Sequence, residues 1–348
     1  MTNRRRHVIP FAFLAGLAVF VFFRTPTPDQ LASISGLTMG TSYQVLLPEL
    51  PNGKSLAQLD SEIEALLSEM DKVIFSTYVR SSELSQLNNY PVNQPFEASK
   101  HLVNVLLLAA DISSLSDGAF DVTVGPLVNL WGFGPSITPL DRTPSQLSIK
   151  ALLEQIGHTK IAIDAANSHI TKLNDVTIDL SAIAKGYAVD QLAAYFDELN
   201  VSSYFLEVGG ELKIKGLKPG GLSWVPAIEA PVDSVSQVYQ VFFSQGDSIA
   251  VAGSGDYRNY FEQDGVRYSH EIDPRTGYPI EHRLAAAYVI DNSAAKADAL
   301  ATAFMVMGFE ESKVLAEKLE QAVYFIYKGS EEGFEDYASP QFAIYLED

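Results

Sequence analysis

A chain of 348 residues with 47% apolar content can bury one large core or two smaller ones, which excludes a disordered tail and supports a compact globular enzyme. Its formal net charge of −19 argues against binding duplex nucleic acid, because neutralising phosphates needs Lys and Arg gathered on a basic face. The absence of cysteine rules out disulfides, thiolate zinc sites, iron–sulfur clusters and cysteine nucleophiles, and leaves an oxidising compartment permitted. An anionic ligand must therefore meet local compensation: a metal ion, a helix N-terminus or a single placed lysine.

In chain order, Arg4, Arg5 and Arg6 precede an apolar run from Val8 to Phe23, the order of a secretory signal or membrane anchor. The run is short for a bilayer span and ends in Arg24 and the stretch Thr25 to Pro28, without a small-x-small cleavage site. It reads as an uncleaved anchor, which by the positive-inside rule places everything after Pro28 on the far side of the membrane. An ordinary cleaved signal peptide is the alternative and leads to the same compartment. Residues 1–28 are thus a signal or anchor segment with its linker, and 29–348 a single domain.

Leu59, Ile63, Leu66, Leu67 and Met70 share one stripe and predict an amphipathic helix over Leu56 to Ile74, ending before the polar stretch Ser76 to Asn89. A second helix is expected from near Ser99 through Val103 to Ala110, stopped around Asp117-Gly118. Thr143 or Ser145 caps a third, carrying Leu152, Leu153 and Ile156. Val176 to Leu180 is strand-like and Ala182 to Leu199 a helix, while Tyr204 to Val208 and Glu211 to Lys215 flank Gly209-Gly210 as a hairpin. Strands are expected at Val238 to Phe243 and Ser248 to Ala252, ahead of the polar segment Gly253 to Pro279. A strand at Tyr288 to Ile290, helices at Ala294 to Met307 and Glu311 to Leu319, and closing strands at Val323 to Tyr327 and Phe342 to Leu346 complete the chain. Without a strict βαβ rhythm, the mixture predicts an α+β domain with antiparallel sheet.

Several local patterns are chemically suggestive. Ala182-Ile-Ala-Lys-Gly186 follows the expected strand and opens a helix, so free backbone N–H groups and Lys185 could meet an anion, although a plain strand-to-helix turn looks the same. Asp298 and Thr302 lie one turn apart on an alanine-rich helix, where an acid is costly to bury without a partner such as a hard cation. The ordinary alternative is an aspartate facing water while Thr302 bonds back to its own helix. His270 lies in an irregular loop three residues before Asp273 and can be a base held by that carboxylate, or a surface histidine. Asp121, with Trp131 and Phe133 nearby, suggests a polar contact between stacking walls, with core aromatics as the default.

Taken together and in order, the motifs are more specific. Met39-Gly-Thr41, Ser76-Thr-Tyr78, Gly118-Ala-Phe-Asp121, Trp131-Gly-Phe-Gly134, Asp179-Leu-Ser181, Ala184-Lys-Gly186, Val208-Gly-Gly210, Ser254-Gly255, His270 with Ile272-Asp-Pro274, and Ala297-Asp298 with Thr302 resemble the FAD:protein FMN transferase (ApbE) family. The resemblance runs from roughly Ile34 to the C-terminus.

This likeness implies an α+β fold similar to T-fold proteins, antiparallel sheets packed with helices, and FAD in a cleft between two halves of the sheet system. Met39, Tyr78, Asp121, Lys185, Ser254 and His270 should then line the dinucleotide. Mg²⁺ should sit between the Ala182 carbonyl, Asp298 and Thr302, beside the pyrophosphate. The acceptor implied is a Thr or Ser hydroxyl on a partner, such as an envelope-exposed subunit of the sodium-pumping NADH:quinone oxidoreductase, with AMP released. His270, positioned by Asp273, is the candidate base, and Asp298 through a shared water is the other. Hydrolysis of FAD to FMN and AMP uses the same site, and a non-catalytic flavin carrier needs the binding residues without the metal set. Many relatives are lipoproteins tethered through a cysteine, so attachment of this cysteine-free chain must differ.

Overall fold

The computed structural model describes residues 31–134, 143–232, 237–256, 260–263, 266–330 and 333–347. The hairpin around Gly209-Gly210 forms as expected: Tyr204–Val208 pairs with Glu211–Lys215 from Tyr204↔Lys215 to Val208↔Glu211. Both glycines have positive φ, 60° and 103°, the sign that a tight primed turn demands at its two central positions. This hairpin lies inside an eight-stranded antiparallel sheet whose spatial order equals its chain order: Ala32–Thr38, Thr41–Leu47, Tyr204–Val208, Glu211–Lys215, Ile249–Gly255, Leu284–Asp291, Ala322–Lys328 and Phe334–Ala338. The expected α+β architecture is present, with one continuous main sheet in place of two halves.

Alternation along these strands makes two cores. Tyr204, Leu206 and Val208 face the helices, whereas Phe205 points to the other side. The helical layer contains Leu56–Ser68, continued without a break by a π-helical turn over Glu69–Phe75, together with Lys100–Leu115, Ala184–Glu198 and Ala294–Met307. The first helix buries Leu59, Ile63, Leu67 and Met70 as its stripe predicts, with Leu66 partly buried. Its N-terminus is closed by Ser55 and Gln58 bonding reciprocally. The opposite face of the sheet buries Leu212, Ile214, Val251 and Ile290 with Trp224, Phe242 and Phe342.

Four expectations change. Val176 to Leu180 joins no sheet, because the Asn88 side chain serves both the N–H and the carbonyl of Ile178, and Asp179 N–H donates to Val122. Phe342 to Leu346 is not the closing strand; that strand is Phe334–Ala338. Ser339 accepts from Phe342 N–H and Pro340 occupies the first turn, so the chain makes a short helix over Pro340–Ala343. The stretch Ser76 to Asn89 contains a helix at Glu83–Asn88 capped by Ser82. The segment Gly253 to Pro279 includes the end of a sheet strand and two small hairpins, Tyr260–Gln263 with Val266–Ser269 and Ile272–Asp273 with Tyr278–Pro279. Among the described residues no helix is long and apolar enough to cross a membrane, and the Val8 to Phe23 run lies outside them.

The helices Ala184–Glu198 and Ala294–Met307 meet at their N-termini. A Cβ on Gly186 would lie 2.3 Å from the Ala294 carbonyl oxygen, so only glycine allows this approach. One turn later, Asp190 accepts from the Ser293 hydroxyl and from the N–H groups of Ala294 and Ala295, at 2.7, 2.8 and 3.0 Å. Gly186→Ala should therefore destabilise the fold by about 1–3 kcal/mol, since backbone rather than a flexible side chain must yield. A urea-unfolding midpoint equal to the parent's would show that the two helices are not locked there.

Candidate active site

A cavity of about 470 Å³ opens where the first strand turn meets the Gly209 turn. Its walls are the turn at 39–41, the π-helical turn and following loop at 71–78, the 179–185 segment and Gly209. Of the residues expected to line the dinucleotide, Met39, Tyr78 and Lys185 line this cavity. Tyr78 is 70% exposed and stands at the rim, its phenol pKa raised by partial burial and by the Asp179 charge. The buried Thr41 hydroxyl, also on the wall, has no hydrogen-bond partner among the described residues.

Lys185 occupies the first turn of Ala184–Glu198 and pairs with the buried Glu211. A side chain on Gly209 would meet the Lys185 Cδ at 2.9 Å and Thr41 Cγ2 at 2.7 Å, so glycine at this positive-φ position keeps the lysine in place. Two more acids lie in its field. Glu207 accepts from Gly210 N–H at 2.6 Å, and burial pushes its carboxyl up to about 7 against the opposing effects of that hydrogen bond and Lys185. Asp298 accepts from Gly186 N–H at 3.0 Å, and burial raises its pKa while Lys185 and the Gly186 bond oppose the shift. One lysine thus faces three buried carboxyl groups, an arrangement that favours an additional cation.

Asp298 is buried, and Ala182 and Thr302 are partly buried. No hydrogen bond from the Thr302 hydroxyl back to its own helix occurs among the described residues, unlike Ser113, which bonds to Ala109 O at 2.8 Å. Carboxylate, hydroxyl and carbonyl oxygens form a hard donor set. No group of three His, Cys, Asp or Glu side chains is positioned to hold a metal among the described residues. A cation here would consequently depend on water or ligand oxygens as well.

The other expected residues form a second cluster. Ser254, near the end of its strand, donates to Glu271 Oε1 at 2.9 Å, and His270 Nε2 lies 3.6 Å from that same oxygen. Asp273, expected to orient His270, is instead gripped by Arg275: the guanidinium reaches its oxygens at 2.9–3.2 Å and the Arg275 N–H adds a bond of 2.8 Å. A fork of donors two residues away in the same turn outcompetes an imidazole for this carboxylate. Trp131 Nε1–H donates to Gly277 O at 2.8 Å and its ring stacks on Tyr268, fastening this loop to the 125–134 segment. Asp121 bonds through Oδ1 to the Thr123 N–H and hydroxyl and through Oδ2 to the His158 N–H, so its described contacts are with neighbouring loops. The helix Ala294–Met307 joins the two clusters, touching Gly186 through Asp298 and packing on Ile249–Gly255 and Ile272–Asp273.

Sequence reasoning passed over Glu207, Glu211 and Glu271. The first two flank a glycine pair in a strand, where acids ordinarily face water, and only the packed sheet shows them buried. Their signal was weak but present, since both sit within four residues of a turn that must approach Lys185.

The chain belongs to the ApbE family, whose pattern it matches over residues 39–326. It is 42% identical to a FAD:protein FMN transferase of Vibrio cholerae over 92% of this chain and 94% of that protein. It is 40% identical to one of Haemophilus influenzae, covering 90% and 91%. Among solved structures it resembles the flavin transferase ApbE from Vibrio cholerae, with a TM-score of 0.82 and 40% identity over 91% of this chain and 99% of that one. The apo form of the Pseudomonas stutzeri flavinyl transferase ApbE gives a TM-score of 0.82 at 38% identity, covering 91% and 97%.

Glu207 makes stability depend on pH. With its folded pKa near 7 and an ordinary value of 4.5, the folded state holds more protons between these limits, so stability falls as pH rises through that window. The loss amounts to about 3 kcal/mol across the window by linkage. Denaturant unfolding of parent and Glu207→Gln from pH 4.5 to 7.5 checks this: the downward slope should be steeper in the parent than in the variant. Equal slopes would place the Glu207 carboxyl in water.

Proposed function

We propose that this chain is a FAD:protein FMN transferase that moves FMN from FAD to a Thr or Ser hydroxyl of an acceptor protein and releases AMP. The observation that carries this reading is the cavity lined by Lys185, at a helix N-terminus whose Gly186 N–H meets buried Asp298, in a chain of the ApbE family. Lys185, in the first turn of its helix, holds the pyrophosphate against the repulsion of a protein with net charge −19. Met39 and Tyr78 supply the apolar and aromatic wall for the rest of the dinucleotide. The Ala182 carbonyl, Asp298 and Thr302 would hold Mg²⁺, which when bound neutralises charge on the phosphate oxygens. In the transfer a bond forms between the acceptor oxygen and the riboflavin-side phosphorus, the bridging P–O bond breaks, and AMP carries away its electron pair. His270 takes the acceptor proton.

The N-terminal segment 1–28 fits a signal or anchor, which puts the 29–348 domain in the bacterial envelope on the periplasmic side, facing acceptors such as subunits of sodium-pumping NADH:quinone oxidoreductase. Incubation with FAD, Mg²⁺ and such an acceptor, followed by intact-mass measurement, tests the class. The acceptor should gain one FMN; FMN and AMP without any mass gain would assign hydrolysis instead.

The role given to Asp298 has its own check. Asp298→Asn keeps the shape and removes the charge, so flavinylation at low Mg²⁺ should fall by roughly 100-fold or more and recover in part as Mg²⁺ is raised. The variant should fold at least as well as the parent, because a buried charge has been removed. Near-parental rates at low Mg²⁺ would place the metal elsewhere.

A further inference from the structure

The carboxylate that stands beside His270 is one that its motif did not single out. We propose that Glu271 is the positioning residue for the His270 base, and that Ser254 fixes Glu271 in that role. This inference rests on the reading of His270 as the group that takes the acceptor proton.

Geometry supports it in three ways. First, one oxygen, Glu271 Oε1, receives the Ser254 hydroxyl at 2.9 Å and faces His270 Nε2 at 3.6 Å, so serine and imidazole meet at one carboxylate oxygen. A separation of 3.6 Å is longer than a hydrogen bond, and such contacts commonly tighten only when substrate is bound. Second, the Glu271 backbone is pinned on both sides: its N–H donates to Ser269 Oγ at 3.1 Å and its carbonyl accepts from Ile280 N–H at 3.0 Å. Its side chain is only 12% exposed, so the carboxylate has little freedom to leave. Third, the competing carboxylate, Asp273, is committed to Arg275.

A carboxylate facing Nε2 selects the tautomer with hydrogen on that nitrogen, and Nδ1 then carries the lone pair that accepts the proton. As the proton arrives, the same carboxylate stabilises the imidazolium, which is the task of the acid in other acid–histidine pairs. Phe133 also meets the ring edge-on, its centroid 6.3 Å away. Ser254 thereby acquires a task that the structure shows directly: it anchors Glu271 from the strand on which the Asp298 helix packs.

The test uses the full chain with FAD, Mg²⁺ and acceptor, comparing Glu271→Gln, Ser254→Ala, His270→Ala and the Glu271→Gln/His270→Ala pair. Glu271→Gln should lower the single-turnover transfer rate by roughly 10- to 100-fold while FAD affinity by calorimetry stays within about twofold. In the His270→Ala background the same substitution should cost nothing further, because its effect passes through the missing ring. Ser254→Ala should show a smaller loss of the same kind. A readout independent of turnover is the ¹⁵N spectrum of the His270 ring, which should show the Nε2–H tautomer in the parent and a mixture in Glu271→Gln.

Equal losses from Glu271→Gln with and without His270, or an unchanged tautomer, would overturn the assignment and leave Glu271 a structural residue. Full activity in His270→Ala would also overturn it while leaving the transferase reading standing. A parent that transfers no FMN would instead remove the transferase reading, and the ring spectrum would still decide whether Glu271 holds His270.

Discussion

The contact on which the site depends is the meeting of two helix N-termini at Gly186. With no side chain there, the Ala184–Glu198 helix comes close enough to the Ala294–Met307 helix for Gly186 N–H to reach Asp298. Asp190 ties the second helix down by capping Ser293, Ala294 and Ala295. Each helix end thus finds its missing partner in an acid from the other, which is how buried helix termini avoid unsatisfied groups. The same approach that closes the core sets Ala184 and Lys185 at one wall of the cavity and buries Asp298 against Gly186.

Electrostatics follow from that packing. A chain of net charge −19 gathers Glu207, Glu211 and Asp298 around one lysine, and burial raises Glu207 and Asp298 above their ordinary ranges. Such a site is costly while vacant of further positive charge and gains when a cation accompanies an anionic ligand. This accounts for an acidic protein handling a pyrophosphate: compensation is local, and the rest of the surface keeps its repulsion. The same alanine-rich helix also meets the elements that carry the His270 cluster, its small side chains letting the sheet and the 272–273 hairpin pack close.

Much of the architecture was legible where local signals agreed. The first helix carried its stripe, the Lys100–Leu115 helix began at Ser99 and met Gly118 with positive φ, and the Gly209-Gly210 hairpin followed from turn chemistry alone. The failures share a cause. Val176 to Leu180 has strand composition, yet its backbone partners are the Asn88 side chain and Val122, and no local pattern announces that. Phe342 to Leu346 is apolar because it covers the outer sheet face, and the Ser339 cap with Pro340 turns it into a helix.

The sequence by itself determined the class of fold, the family and the identity of the residues that carry charge or a titratable ring, because these are matters of composition, order and spacing. It could place Asp298 and Thr302 on one helical face, since a helix repeats by a fixed rule. Only the tertiary structure decided who partners whom. It gave Asp273 to Arg275, placed Glu271 between Ser254 and His270, and buried Glu207 and Glu211 beside Lys185. Ser254–Glu271 and Lys185–Glu211 join separate elements, and even the near-neighbour contacts Asp273–Arg275 and His270–Glu271 depend on distance and burial after folding, quantities that spacing alone does not encode.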